Sequence, residues 1–207
     1  MTLRSKRRVA SDAYYRTAKA AGYRSRSSYK LVQLSQRYRL LRAGDVVVDL
    51  GAAPGGWLQV AAEFVGDSGF VMGVDLDPII PLRIPNVRTI QGDLTSPTVL
   101  KKISDTLPRL ADVLLSDASP HVSGNWSLDQ ARQLFLAEKS LEAAGKILRL
   151  GGSSVLKAFQ GSDYEQFLNK ARSAFRSVEV AKPPASRRGA AEVYLVCRGF
   201  VGGESLV

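Results

Sequence analysis

Val46 to Trp57 read VVVDLGAAPGGW, and this stretch decides the fold. Val46, Val47 and Val48 are β-branched with no polar alternation, which predicts a strand buried on both faces, as inside a parallel sheet. Gly51, Gly55 and Gly56 remove side chains where the backbone must turn sharply and a ligand must come close. Apolar helical spacing begins at Trp57, so the helix opens with unpaired N–H groups aimed into a crevice. Strand, turn and helix together describe a nucleotide-type cradle at the carboxyl end of a first strand.

Working outward, strand and helix patterns alternate. Strands are expected near 45–50, 70–75, 86–90, 111–116, 152–159, 176–182 and 191–198, with helices near 56–65, 97–107, 127–149 and 162–173. That alternation implies an α/β fold of Rossmann-like type, a mostly parallel, doubly wound sheet of seven strands. Only KPPASRRGA (Lys182 to Ala190) separates the last two strands, so they should form an antiparallel hairpin at one edge. Upstream, Asp12 to Ala21 reads as a helix broken by Gly22. Ser27 or Ser28 is placed to cap a second helix, with Leu31, Leu34, Tyr38 and Leu41 on one face and Lys30 beside it. The expected organisation is a basic helical extension over 1–42, a catalytic domain over 43–200 and a tail over 201–207.

The charge is segregated. Of 29 Lys and Arg and 19 Asp and Glu, residues 1–42 hold twelve basic residues, Arg7, Arg8, Arg24 and Arg26 among them, against the single acid Asp12. Positions 43–207 keep 17 basic and 18 acidic residues, so the extension carries the whole net charge of +10. A polyanion such as nucleic acid is the partner this predicts. A hydrophobic fraction of 45% argues against disorder. No apolar run approaches the ~20 residues of a membrane span, so no membrane association is expected. Cys197 is the only cysteine, which excludes a disulfide framework and points to a reducing, cytoplasmic setting. No group of His, Cys and acids has metal-ligand spacing, so no metal is expected.

The glycine turn admits more than one ligand. A dinucleotide fingerprint requires G-x-G-x-x-G, but the turn runs Gly51-Ala52-Ala53-Pro54-Gly55-Gly56, and Pro54 removes a donor. Two acids downstream point elsewhere. Asp75 ends the second strand, where a carboxylate can bind both ribose hydroxyls of a nucleoside. Asp93 follows the third, where one can accept from an adenine amino group. An adenosine without pyrophosphate, held this way, suits S-adenosylmethionine.

The chain resembles the FtsJ/RrmJ (RlmE) family of ribosomal RNA 2′-O-methyltransferases. The resemblance rests on RSRSSYKL around Lys30, VVDLGAAPGGW at 47–57, QGDL at 91–94, SDASPHVSG at 116–124, GGSSVLKAFQG at 151–161 and AEVYLVC at 191–197, and covers roughly residues 12 to 200. It implies S-adenosyl-L-methionine as cofactor, with Gly51, Gly55, Gly56, Trp57, Asp75, Asp93 and Asp117 around it. It also implies a monomer acting on a uridine of large-subunit ribosomal RNA, within the assembled subunit. It carries a catalytic set onto Lys30, Asp117, Lys157 and Glu192.

The roles follow from charge. A ribose 2′-hydroxyl is a weak acid, so a base or a local positive charge should assist its attack on the methyl group. Lys157 acts as base only if its pKa falls far below ~10.4; otherwise it stays charged and stabilises the forming alkoxide. Glu192 positions Lys30 or the ribose. His121, the only histidine, is assigned with Ser119 to the loop lining the substrate pocket. Trp57 is either a wall of the cofactor pocket or a core residue packing helix on sheet. Arg187 and Arg188, in the hairpin loop, are candidate phosphate contacts. The rival readings are a 2′-O-methyltransferase of transfer RNA, a non-catalytic ribosome-assembly factor and a nicotinamide-dependent oxidoreductase.

Overall fold

The computed structural model describes residues 13–121, 123–187 and 189–202. Its strands are β1 (Val46–Leu50), β2 (Phe70–Asp75), β3 (Val87–Gln91), β4 (Ala111–Ser116), β5 (Leu148–Phe159), β6 (Phe175–Ala181) and β7 (Glu192–Phe200). Residues 13–20 form α1. The later helices are α2 (Ser28–Tyr38), α3 (Gly56–Val65), α4 (Pro97–Thr106), α5 (Trp126–Ile147) and α6 (Tyr164–Ala174). The strands make one sheet in the order β3-β2-β1-β4-β5-β7-β6. This is the mostly parallel, seven-stranded α/β sheet that the alternation implied. All five residues of β1 are buried, as three successive valines inside a parallel sheet require.

Two apolar layers sandwich the sheet. On one face α2 and α3 bury Leu31, Leu34, Trp57, Leu58 and Val60 against Val47, Val113, Val155 and Tyr194. On the other, α4, α5 and α6 bury Leu100, Leu141 and Phe167 against Val48, Leu114 and Leu156. Burying a leucine stabilises by about 1.5–3 kcal/mol. Leu31 and Leu34, both essentially inaccessible, therefore hold α2 firmly on the body.

The expected hairpin forms at the edge, and its order matters for the site. After β5 the chain crosses through α6 and lays down β6 two positions away. β7 then enters the gap, antiparallel to both β5 and β6. The reversed strand is thus the penultimate one, with β6 outermost. Because β7 runs backwards, its first residues lie at the carboxyl ends of the parallel strands, where open α/β sheets bind ligands.

Three local expectations need correction. Neither Ser27 nor Ser28 caps α2: Ser27 is itself in the right-handed helical region, and no side-chain cap bond forms. The helix is entered through a tight turn in which Ser28, Tyr29 and Lys30 donate to the carbonyls of Ser25, Arg26 and Ser27. Leu41 is buried but lies beyond α2, which ends where Arg39 turns left-handed at φ 49°. α5 stops at Ile147 and β5 starts at once with the buried Leu148, earlier than the glycine pair at 151–152 suggested.

Candidate active site

The cradle is built from strand ends. A Cβ on Gly51, whose φ is +77°, would run into the backbone of Ala118, so glycine is what lets the turn after β1 close on the loop after β4. The Asp75 carboxylate is fixed by N–H groups of Ala53 (2.8 Å) and Asp77 (2.9 Å), which ties the end of β2 to the glycine turn. Asp93 accepts from the Thr95 N–H at 2.8 Å. Between them lies a cavity of about 410 Å³, lined by Gly51, Ala53, Asp75–Asp77, Gly92–Leu94, Asp117–His121, Arg132, Phe135 and Leu136. That size falls within the range of small-molecule sites.

At the β4 side of this cavity is a buried charge network. Lys157, on β5, donates to the Asp117 carbonyl oxygen at 2.7 Å and approaches Asp117 Oδ1 at 3.1 Å. Tyr194, paired across from Lys157 on β7, donates to Asp117 Oδ1 at 2.7 Å. Lys30 reaches down from α2 to donate to Tyr194 Oη at 2.8 Å and to pair with Glu192 Oε1 at 2.7 Å; it stands 4.0 Å from Asp117 Oδ1. The structure therefore brings Lys30, Asp117, Lys157 and Glu192 together, with Tyr194 as their common link. Lys157 and Lys30 are 5% and 6% exposed, so neither is a solvated surface lysine.

The electrostatics are coherent. Burial alone would raise the Asp117 carboxyl. Lys157 and Lys30, with hydrogen bonds from Tyr194 and Lys157, outweigh it and hold the group ionised, below the ordinary carboxylate range. Burial, then the charges of Asp117 and Glu192, push the Tyr194 phenol well above its usual value, so it remains a donor. Gln133 of α5 braces the centre from behind, donating to the carbonyls of Ala118 (3.1 Å) and Lys157 (3.2 Å).

Other expected residues fall in distinct places. His121 and Ser119 line the same cavity as Asp75 and Asp93. Trp57 is buried in the α2–α3 layer, with its ring centroid 6.0 Å from that of Tyr194, and its Nε1–H donates to the Ser27 carbonyl at 2.9 Å. It thereby anchors the turn that carries Lys30. Gly55 and Gly56 form the entry to α3 beneath that turn. Arg24 donates to the carbonyls of Pro54, Ile80 and Pro81, clamping the glycine turn to the loop after β2. Arg26 and Arg187 lie close enough to influence each other, and Arg26 also feels Glu192. Arg7, Arg8 and Arg188 lie outside the described residues.

Two residues without an expected role belong to the site. Tyr194 lies in the AEVYLVC strand, but nothing local shows that it faces Lys157. Asp49 did carry a signal, as an acid inside an apolar strand. It is inaccessible, and among the described residues neither carboxyl oxygen has a hydrogen-bond partner. Burial, with the like charges of Asp117 and Asp75, pushes its pKa well above the ordinary range, favouring the protonated form.

Comparison with known proteins decides what such a site belongs to. The sequence profile of FtsJ-like methyltransferases matches residues 23–200. The chain belongs to the FtsJ-like methyltransferase family. A ribosomal RNA large subunit methyltransferase E of Methanococcus aeolicus is 47% identical over 191 residues, 92% of this chain and 71% of that protein. The protein of the same name from Methanocaldococcus jannaschii is 43% identical over 194 residues, covering 92% and 79% of the two chains. Among solved structures, one described as a ribosomal RNA methyltransferase from Plasmodium falciparum superposes with a TM-score of 0.77 at 29% identity, covering 87% of this chain and all (100%) of that one. Membership of the FtsJ-like family accounts for the sheet order, the glycine turn and the strand-end acids together. Among the described residues no helix is long and apolar enough to cross a membrane.

Proposed function

We propose that this FtsJ-like methyltransferase uses S-adenosylmethionine to methylate the ribose 2′-hydroxyl of a uridine in large-subunit ribosomal RNA, within the assembled subunit. The observation that carries this reading is the buried Lys157–Asp117–Tyr194–Lys30–Glu192 network opening onto a cavity whose far end presents Asp75 and Asp93. The names of the relatives support the ribosomal substrate.

The cavity suits the cofactor in size and chemistry: Asp75 would accept from the ribose hydroxyls, Asp93 from the adenine amino group, and Gly51 would allow close backbone approach. When bound, S-adenosylmethionine supplies an electrophilic methyl group on a cationic sulfur. The four charged side chains of the network, two lysines and two carboxylates, sum to zero. In this reading Lys157 Nζ would receive the 2′-hydroxyl proton as the oxygen–methyl bond forms and the sulfur–methyl bond breaks. Asp117 aims the amine through its carboxylate and its carbonyl. Lys30, held by Glu192 and Tyr194, steadies the oxygen.

Residues 1–42 serve in this reading as the RNA-binding arm of a single catalytic unit, spanning 43–200. Arg26, within electrostatic reach of Glu192 and Arg187, would contact phosphate together with Arg187. The test is transfer of a tritiated methyl group to large ribosomal subunits, free ribosomal RNA and transfer RNA, followed by mapping of the modified nucleotide. A 2′-O-methyluridine in large-subunit RNA is expected. Methylation of a base, or of transfer RNA alone, would overturn the reading.

A further inference from the structure

An aromatic pair beside the charge network has no role in the reaction derived above. Trp126, the first residue of α5, lies stacked on Phe159, the last of β5, with ring centroids 6.0 Å apart and planes 11° from parallel. Trp126 is 53% exposed, so this is not a core contact that folding demands. A half-open tryptophan forfeits much of the apolar burial that would otherwise stabilise the fold.

Its surroundings place the pair at the mouth of the site. Phe159 is two residues beyond Lys157 on the same strand and pairs across the sheet with Glu192. Trp126 follows directly on the loop that lines the cavity at Ser119–His121. That loop is pinned to α5: Asp129 accepts from the Ser123 N–H and hydroxyl at 2.8 and 2.7 Å and from the Gly124 N–H at 3.2 Å. Asn125 caps the helix through the Leu128 N–H at 3.2 Å. The indole is therefore held on a rigid helix start, not on a free loop. Arg26 lies within electrostatic reach of both Glu192 and Arg187. Flat apolar rings together with nearby guanidinium groups match the two faces of a nucleotide strand, base and phosphate.

We propose that Trp126 and Phe159 form a stacking platform for one nucleobase of the RNA strand, seated next to the ribose whose 2′-oxygen meets Lys157. The proposal rests on the RNA-methyltransferase reading. Ring stacking is tolerant of base identity, so the platform positions the strand and leaves sequence recognition to other contacts.

The test is steady-state methyl transfer by the full chain to an RNA containing the mapped target, with cofactor affinity measured separately by titration. Removing one stacking ring, in Trp126→Ala or Phe159→Ala, should raise KM for RNA by about fivefold to a hundredfold while leaving cofactor affinity unchanged. Trp126→Phe, which keeps a ring, should restore most of the loss. Leu150→Ala, at an exposed apolar position where β5 begins, should leave KM unchanged. Thermal midpoints of all variants separate a binding loss from a folding loss. In a second arm, 2-aminopurine is placed at the target or at either neighbour; quenching by the wild-type chain at one position, relieved in Trp126→Ala, identifies the stacked base. If wild-type transfer occurs but KM is unmoved by Trp126→Ala and no position is quenched, the platform is refuted. If Trp126→Phe is as impaired as Trp126→Ala, stacking is refuted as the cause. Absence of wild-type transfer to any RNA would instead overturn the functional reading.

Discussion

Two aspartates stand at opposite ends of one strand: the buried Asp112 where β4 begins and the half-buried Asp117 just past where it ends. Both are ionised and both are held by cations, yet the settings differ. Asp112 accepts from Arg109, from Arg149 Nε at 2.6 Å and from the Val46 N–H at 2.8 Å, and its two arginines are about half exposed. It ties the starts of β1, β4 and β5 together at modest desolvation cost. Asp117 is served by Lys157, Lys30 and Tyr194, all buried. Taking two ammonium groups out of water costs several kcal/mol each, which their pairing offsets only in good geometry. The lower end is what a strand sheet needs to stay registered. The upper end costs more than any clamp requires, and beside it Asp49 is buried with no partner among the described residues. Expensive, incompletely satisfied polarity marks the working end of the sheet.

The contrast can be broken by substitution. Lys157→Ala should lower single-turnover methyl transfer by about 10²–10⁴-fold while cofactor binding by titration persists. Lys157→Arg should be nearly as inactive, because a guanidinium keeps its charge but cannot accept the proton. An active Lys157→Arg would show that charge alone suffices and overturn the proton-transfer role.

Tyr194→Phe removes one hydroxyl that both donates to Asp117 and accepts from Lys30. Hydrogen bonds to charged groups contribute about 1.5–3 kcal/mol, so a rate loss of roughly tenfold or more is expected. The same rate as wild type would mean the lysines and acids hold their geometry without it.

At the lower end, Asp112→Asn should cost about 1–2 kcal/mol of stability, discounted for its half-exposed arginines, with the per-molecule transfer rate unaffected. Burial would raise the Asp112 carboxyl, but Arg109, the Val46 N–H and Arg149 bring it down to about 2. Against an unfolded value of ~3.9, this contribution is complete above that pH and is lost as pH falls through about 2. Chemical denaturation of wild type and variant should therefore converge in that acid window. If they stay apart, the ion pairs are not the cause.

Asp49 has the opposite sign. Its folded pKa is raised, so its contribution is complete below ~3.9 and is lost as pH rises through the folded value. Asp49→Asn, which cannot ionise, should gain on wild type with rising pH, by no more than about 1.4 kcal/mol per pH unit. A difference in stability that stays constant from pH ~5 to ~8 would show that Asp49 does not remain protonated.

Much of this molecule is legible locally. The runs VVVDL, FVMGVD and ADVLLS are apolar, short and bounded by turn residues, so their strands can be read almost to the residue. The start of β5 is not, because Leu148 has good helical propensity and only its burial against the sheet makes it extended. The start of α2 misleads for a similar reason: two serines look like caps, but the chain enters through a turn that occupies Ser27 in helical geometry. Asp75 and Asp93 are readable as strand-end acids. Lys30, Asp117, Lys157 and Glu192 were legible only through resemblance, since no local pattern joins a lysine to a tyrosine 164 positions away.

By itself the sequence determined the alternating α/β plan, the glycine cradle after the first strand and the basic bias of its first 42 residues. These are properties of near neighbours: periodicity, turn propensity and composition act over a few residues. Tertiary structure alone decided that β7 would slide between β5 and β6, setting Tyr194 opposite Lys157 and Glu192 beside Lys30. It also decided that the Asp49 carboxyl is pushed above the ordinary range while the Asp117 carboxyl is held below it. Strand register and desolvation depend on what the rest of the chain brings alongside, and that is where this protein's chemistry resides.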